Sequence, residues 1–90
     1  MNSSVHNLIG LCQRFLDGKL AADAYVAEFD QAFHETEGAL PEPAYSIFDE
    51  IAVVNDLFEP NDAIRKEEKI LLDEDRLRAE VKRRVLQLTA

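Results

Sequence analysis

The sequence has few of the residues that build disulfide frameworks, phosphate-binding loops or membrane spans. Cys12 is the only cysteine in 90 residues, so no disulfide can form within the chain, and this fits a reducing compartment. Only three glycines are present, which argues against a glycine-rich phosphate loop. No apolar run approaches the roughly 20 residues of a transmembrane helix, and the opening stretch lacks the basic start of a signal peptide. We therefore predict a cytoplasmic protein that does not enter a membrane.

Basic residues are missing from the whole middle of the chain. No Lys or Arg occurs from Leu20 to Ile64, although eleven carboxylates fall in that stretch, and the net charge is −8. Because no base is nearby, these carboxylates are predicted to stay unpaired. The negative sign disfavours direct binding to nucleic-acid phosphates or anionic lipids. Two interpretations remain open, namely a solubilising surface and a surface that receives a basic partner.

Apolar residues recur at three- and four-residue steps in four segments, which predicts four amphipathic helices. The segments run from about 4 to 17, 21 to 36, 42 or 43 to 58, and 73 to 88. Residues 61–72 are ambiguous and fit a helix extension, a short separate helix or a charged loop. The chain contains 47% apolar residues, enough for one hydrophobic core. We therefore predict one all-α domain over residues 1–90, an antiparallel four-helix bundle. The aromatic residues expected at its centre are Phe15, Tyr25, Phe29, Phe33, Phe48 and Phe58.

The third predicted helix has two different faces. Its apolar residues point one way, whereas Asp49, Val53 and Asp56 point another way, because seven residues make nearly two helical turns. The carboxylates of Asp49 and Asp56 should lie about 10 Å apart along the helix. Charges of one sign at this spacing do not help folding, which favours a role in binding.

Residues that catalysis or metal binding would need are scarce. His6 and His34 are the only histidines, and neither lies in a metal-spaced cluster or near a nucleophile. Cys12 lies on an apolar stripe and is expected to be an inert core residue, while Gly10 inside the first helix predicts a close helix crossing. The acidic stretches lack the spacing of a calcium-binding loop. We therefore predict no catalytic residue, no metal site and no cofactor, and a protein that is not an enzyme.

The stretches RFLDGKLAADAYVAEF, IFDEI, FEPND and LLDEDRLRAEVKRRVLQL resemble the colicin D immunity protein family. This bacterial self-protection family also includes immunity partners of contact-dependent growth-inhibition toxins. The resemblance spans residues 8–88, and its most specific pieces are Phe58-Glu59-Pro60 and Leu77 followed by Glu80-Val81. The chain departs from the family pattern at Asn61, where Asp is usual, and in extra residues between Asn61 and Asp73.

The resemblance implies a small four-helix bundle that binds the C-terminal nuclease domain of a cognate bacteriocin or contact-dependent inhibition toxin. Such toxins cut tRNA in a basic cleft, and the immunity protein fills that cleft with carboxylates in place of phosphates. A monomer in a 1:1 complex is expected, with no direct contact to nucleic acid. The alternative is an acidic structural or regulatory helical subunit, or a homodimer, whose acidic face is merely solvated. The toxin-binding residues implied by the resemblance are Asp49, Glu50, Asp56, Glu59 and Asp62.

Overall fold

A computed structural model of the chain describes residues 3–89. The four long helices pack as a bundle in which α1 and α3 each lie against both α2 and α5. The predicted all-α fold is confirmed, and the predicted ends of the four long helices differ from the observed ends by at most two residues. The helices are α1 (Ser3–Leu16), α2 (Ala22–Thr36), α3 (Ala44–Asp56), α4 (Asp62–Glu67) and α5 (Glu74–Thr89), with a 3-10 turn at Glu37–Ala39.

Aromatic side chains join three of the helices at the centre of the bundle. The rings of Phe15 in α1 and Tyr25 in α2 stack with their centroids 4.4 Å apart. Phe29 lies one turn further along α2, with its ring centroid 6.2 Å from that of Phe48 in α3. The pair of Phe15 and Tyr25 joins the end of α1 to the start of α2, as an antiparallel arrangement requires. The prediction that Phe15, Tyr25, Phe29, Phe33 and Phe48 fill the centre is confirmed, because all five are buried.

Phe58 differs from the other aromatic residues because α3 ends before it. The residue is only partly buried and packs against the edge of the core. It forms an isolated parallel bridge with Leu72, and the backbone N–H of Leu72 donates to the carbonyl of Leu57 at 2.7 Å. This bridge holds the end of α3 beside the start of α5, so the two helices run antiparallel despite the long connection between them.

The ambiguous segment contains a short separate helix, α4, followed by a loop. Asn61 caps this helix, since its side-chain oxygen accepts hydrogen bonds from the N–H groups of Ala63 at 2.9 Å and Ile64 at 3.3 Å. Asn and Asp cap helices about equally well.

The structure gives a reason for glycine at Gly18 and none at Gly10. Gly18 has a φ of 76°, the left-handed conformation in which a helix commonly ends, and it follows α1 directly. A Cβ atom placed on Gly10 would meet no atom within 4 Å. The predicted close helix crossing at Gly10 is therefore wrong.

Cys12 lies inside the bundle, as its position on the apolar stripe predicts. Its thiol is fully buried, with the sulfur 3.7 Å from the hydroxyl oxygen of Tyr25. Burial raises the pKa of the Cys12 thiol to about 12, so at neutral pH it is protonated and a poor nucleophile. Cys12 therefore belongs to the core.

Candidate partner-binding surface

The outward side of α3 carries Asp49, Val53 and Asp56, which we call the α3 face. All three residues are exposed, and Val53 retains 57% of its accessible surface. Phe48 and Ile51 of the same helix are completely buried, because the helical period places them on the opposite side. The predicted two-faced third helix is thus confirmed.

The two carboxylates of the α3 face have no partner within residues 3–89. Neither Asp49 nor Asp56 forms an ion pair or a side-chain hydrogen bond with any other described residue. They lie seven residues apart on one helix, which corresponds to about 10 Å. Asp56 is also the last residue of α3, where the helix dipole disfavours a negative charge. The helix gains nothing from either charge, and both are accessible to another molecule.

Glu50 has a basic partner, contrary to the prediction that this acidic stretch has none. The Nε atom of Arg84 in α5 lies 3.3 Å from Oε1 of Glu50, and Nη1 of the same guanidinium lies 2.9 Å from Oε1 of Glu80. The Arg84 side chain is only 14% exposed, so it is held between the two helices. The pairing escapes a sequence argument because the base comes from the far end of the chain.

Asp62 and Glu59 are also engaged within the chain. The guanidinium of Arg65 contacts the carboxylate of Asp62 and the backbone carbonyl of Glu59. The Glu59 carboxylate accepts a hydrogen bond from the N–H of Asn61 at 3.1 Å. These contacts fix the loop after α3, and they leave both carboxylates less available to a partner than those of the α3 face.

One more carboxylate of the middle stretch is paired. Glu28 in α2 has its Oε1 atom 3.9 Å from Nη2 of Arg14 in α1. The prediction that the eleven carboxylates between Leu20 and Ile64 stay unpaired is therefore wrong for Glu28, Glu50 and Asp62. The bases that pair with Glu28 and Glu50 come from other helices, whereas Arg65 follows Asp62 by three residues in α4 and lies just beyond the stretch.

The neighbouring helix α5 pairs acids with bases along its own length. Arg78 lies 3.1 Å from Glu74, and Arg83 lies 2.8 Å from Glu80. Hydrogen bonds from Arg84 and Arg83 hold the pKa of the Glu80 carboxyl below its usual value. Unlike the α3 face, this helix pairs several of its charged side chains with one another, so they do not need another molecule.

Residues 3–89 contain neither a cluster of metal ligands nor a membrane-spanning helix. No three or more His, Cys, Asp or Glu residues are placed to hold a metal ion together. His6 and His34 are exposed and lie on different helices. No helix in this range is both long enough and apolar enough to span a bilayer.

Comparisons of the chain with protein-family models, curated protein sequences and solved structures gave no significant match. Membership of the colicin D immunity family therefore stays a prediction that rests on the motifs quoted above. The fold and the α3 face together describe a small helical bundle with an exposed, unpaired acidic surface.

Proposed function

We propose that this chain is an immunity protein that binds the nuclease domain of a cognate bacterial toxin and blocks its substrate cleft. The partner is a basic domain that cleaves tRNA, and the carboxylates of the α3 face occupy positions that tRNA phosphates would take. The protein acts in the bacterial cytoplasm as a monomer in a 1:1 complex, without catalysis and without a cofactor. The observation that carries this proposal is the pair of exposed, unpaired carboxylates of Asp49 and Asp56 on one rigid helix.

Electrostatics supports a basic partner. The chain has a net charge of −8, and Arg14 and Lys19 are the only Arg or Lys in its first 64 residues. A field of this sign attracts a positively charged cleft over a distance and raises the association rate. Because mobile ions screen such attraction, association should slow steeply as the salt concentration rises.

The contacts within the chain rank the candidate residues. Asp49 and Asp56 form the centre of the surface because neither has to give up a partner. Glu50 lies on α3 itself, Glu59 and Asp62 follow that helix in the chain, and each of the three already has an internal contact. A toxin that took one of these carboxylates would have to displace or share that contact, so their contribution to binding should be smaller.

The experiment that tests the proposal is growth rescue in bacteria. In a toxin–immunity locus, the reading frame immediately upstream ends in a small basic nuclease domain, and that domain is the toxin to express. It is produced together with the wild-type chain, with the double variant Asp49→Lys/Asp56→Lys, or with Asp30→Lys. Asp30 is the matched control because it is exposed on α2 and has no ion pair among the described residues.

We expect the wild-type chain and Asp30→Lys to protect the cells, and the α3 double variant to fail although circular dichroism shows it folded. Full protection by that double variant would place the binding surface elsewhere. If the upstream frame encodes no nuclease, or if the wild-type chain does not protect against it, the proposal is wrong. The structural or regulatory alternative would then be favoured.

A further inference from the structure

Val53 places an apolar side chain at the centre of the outward side of α3. The neighbouring residues one turn away are Asp49 and Glu50 on one side and Asp56 on the other. With 57% of its surface exposed, Val53 gains little from burial in the fold. As a β-branched residue it also lowers the intrinsic stability of the helix relative to Ala. Folding therefore gives no reason for Val at this position.

Single exposed apolar residues are common, so exposure alone means little. Leu86 in α5 is 56% exposed, and its neighbours one turn earlier are Lys82 and Arg83. Val53 differs from Leu86 because it stands between two carboxylates that have no ion pair among residues 3–89. An apolar centre inside a charged rim is the usual layout of a protein interface, where the centre contributes most of the binding energy.

We infer that Val53 is the specificity-determining contact of the α3 face, and that it enters an apolar depression rimmed by Lys or Arg side chains on the nuclease domain. This inference rests on the proposed function. The carboxylates attract any basic surface, including the clefts of unrelated nucleases, so charge alone cannot select one toxin. Val53 does select, because a partner without a matching depression must bury a polar group against it without a hydrogen bond.

The contribution of Val53 should differ in kind from that of the carboxylates. Attraction between charges acts before contact and appears mainly in the association rate. Packing of Val53 acts only after the surfaces meet, so it should appear in the dissociation rate. Truncating a central interface residue often weakens binding by about tenfold or more.

The test measures binding kinetics by surface plasmon resonance at low and high salt. The probes are the purified nuclease domain encoded upstream and a second basic tRNA-nuclease domain from an unrelated locus. The variants are Val53→Ala, Val53→Thr, Asp49→Asn/Asp56→Asn and the control Leu86→Ala. Val53→Thr keeps the shape of the side chain and changes only its polarity, so it separates packing from burial of a hydroxyl group.

For the cognate domain, we expect Val53→Ala and Val53→Thr to raise the dissociation rate about tenfold while the salt dependence stays as in the wild type. Leu86→Ala should bind normally, and the double Asn variant should associate slowly with a weaker salt dependence. The preference for the cognate over the unrelated domain should fall about tenfold in Val53→Ala.

Two results would overturn the inference, and they differ in what they say about function. If both Val53 variants bind and discriminate like the wild type while the double Asn variant loses binding, the specificity role is wrong and the proposed function stands. If the wild-type chain does not bind the upstream domain at all, the proposed function is wrong and the inference falls with it.

Discussion

Helices α3 and α5 pack against each other over one core, yet they differ in whether their acidic side chains are paired with basic ones. In α5, Glu74 and Glu80 have basic partners three or four residues further along the same helix, a spacing that stabilises helices. In α3 there is no Lys or Arg at all, and Asp49 and Asp56 remain unpaired. Charges that serve folding are paired in α5, whereas those of the α3 face do not serve folding and are free to serve binding.

The ends of the two helices extend this comparison. Glu74 and Asp75 occupy the first turn of α5, where the helix dipole favours negative charge. Asp56 ends α3, where the same dipole opposes it. The charges at the start of α5 thus stabilise their helix, whereas the charge at the end of α3 destabilises its helix and belongs to the proposed binding surface.

The largest expected effect is on binding of the nuclease domain, and it should follow from reversing charge on α3 but not on α5. The double variant Asp49→Lys/Asp56→Lys should lose about 2–5 kcal/mol of binding free energy for the nuclease domain, because it places positive charges against a basic cleft. The α5 double variant Arg76→Glu/Lys82→Glu should bind as well as the wild type or slightly faster. Isothermal titration calorimetry measures both, and an equal loss in the two variants would remove the distinction between the helices.

The contact that joins the two helices should have a moderate effect on stability. Arg84→Ala should lower the free energy of unfolding by about 1–2 kcal/mol, because the mostly buried guanidinium pairs with both Glu50 and Glu80. Arg83→Ala should cost less than about 0.5 kcal/mol, because the Arg83 side chain is 61% exposed. Urea denaturation of both variants tests this, and equal losses would show that Arg84 does not link α3 to α5.

Acid should weaken the ion pairs of α5 in a defined direction. The pKa of Glu80 is lowered in the folded state by hydrogen bonds from Arg84 and Arg83, so its stabilisation is present above its unfolded pKa. That stabilisation is lost as the pH falls through the lowered folded pKa. Wild type should therefore be more stable than Glu80→Gln at pH 7, with the gap closing in acid. Urea denaturation at a series of pH values measures the gap, and a gap that persists in acid contradicts this explanation.

The smallest effect concerns the exposed apolar residues. Val53→Ala should raise the free energy of unfolding by up to about 0.5 kcal/mol, because Ala has a higher helix propensity and little packing is lost. Leu86→Ala should leave the stability nearly unchanged, since Leu86 is as exposed as Val53 but Leu already has a helix propensity close to that of Ala. Thermal denaturation compares them, and a clear loss of stability in Val53→Ala would mean that Val53 serves the fold.

Much of the fold is predictable from local patterns. The four long helices follow from apolar spacing, and Phe29 and Phe48 are buried because they lie on those stripes. The prediction that Phe58 lies at the centre of the bundle is wrong. The apolar stripe in the sequence runs past Asp56, but α3 ends at that residue and Phe58 forms a bridge with Leu72. A bridge between residues distant in sequence has no local signal that would predict it.

The candidate surface divides in the same way. That Asp49, Val53 and Asp56 share the outward side of one helix depends only on the helical period. That Glu50 is paired depends on Arg84, which the tertiary arrangement brings to it from α5. Asp62, by contrast, pairs with Arg65 three residues later in the same short helix.

The sequence by itself determined the helices, the apolar face of each and the placement of Asp49, Val53 and Asp56 on one side of α3, because these follow from interactions within a few residues. Only the tertiary structure decided which carboxylates are left without a base, because the Glu50 partner lies on another helix and reaches it only after the bundle has packed.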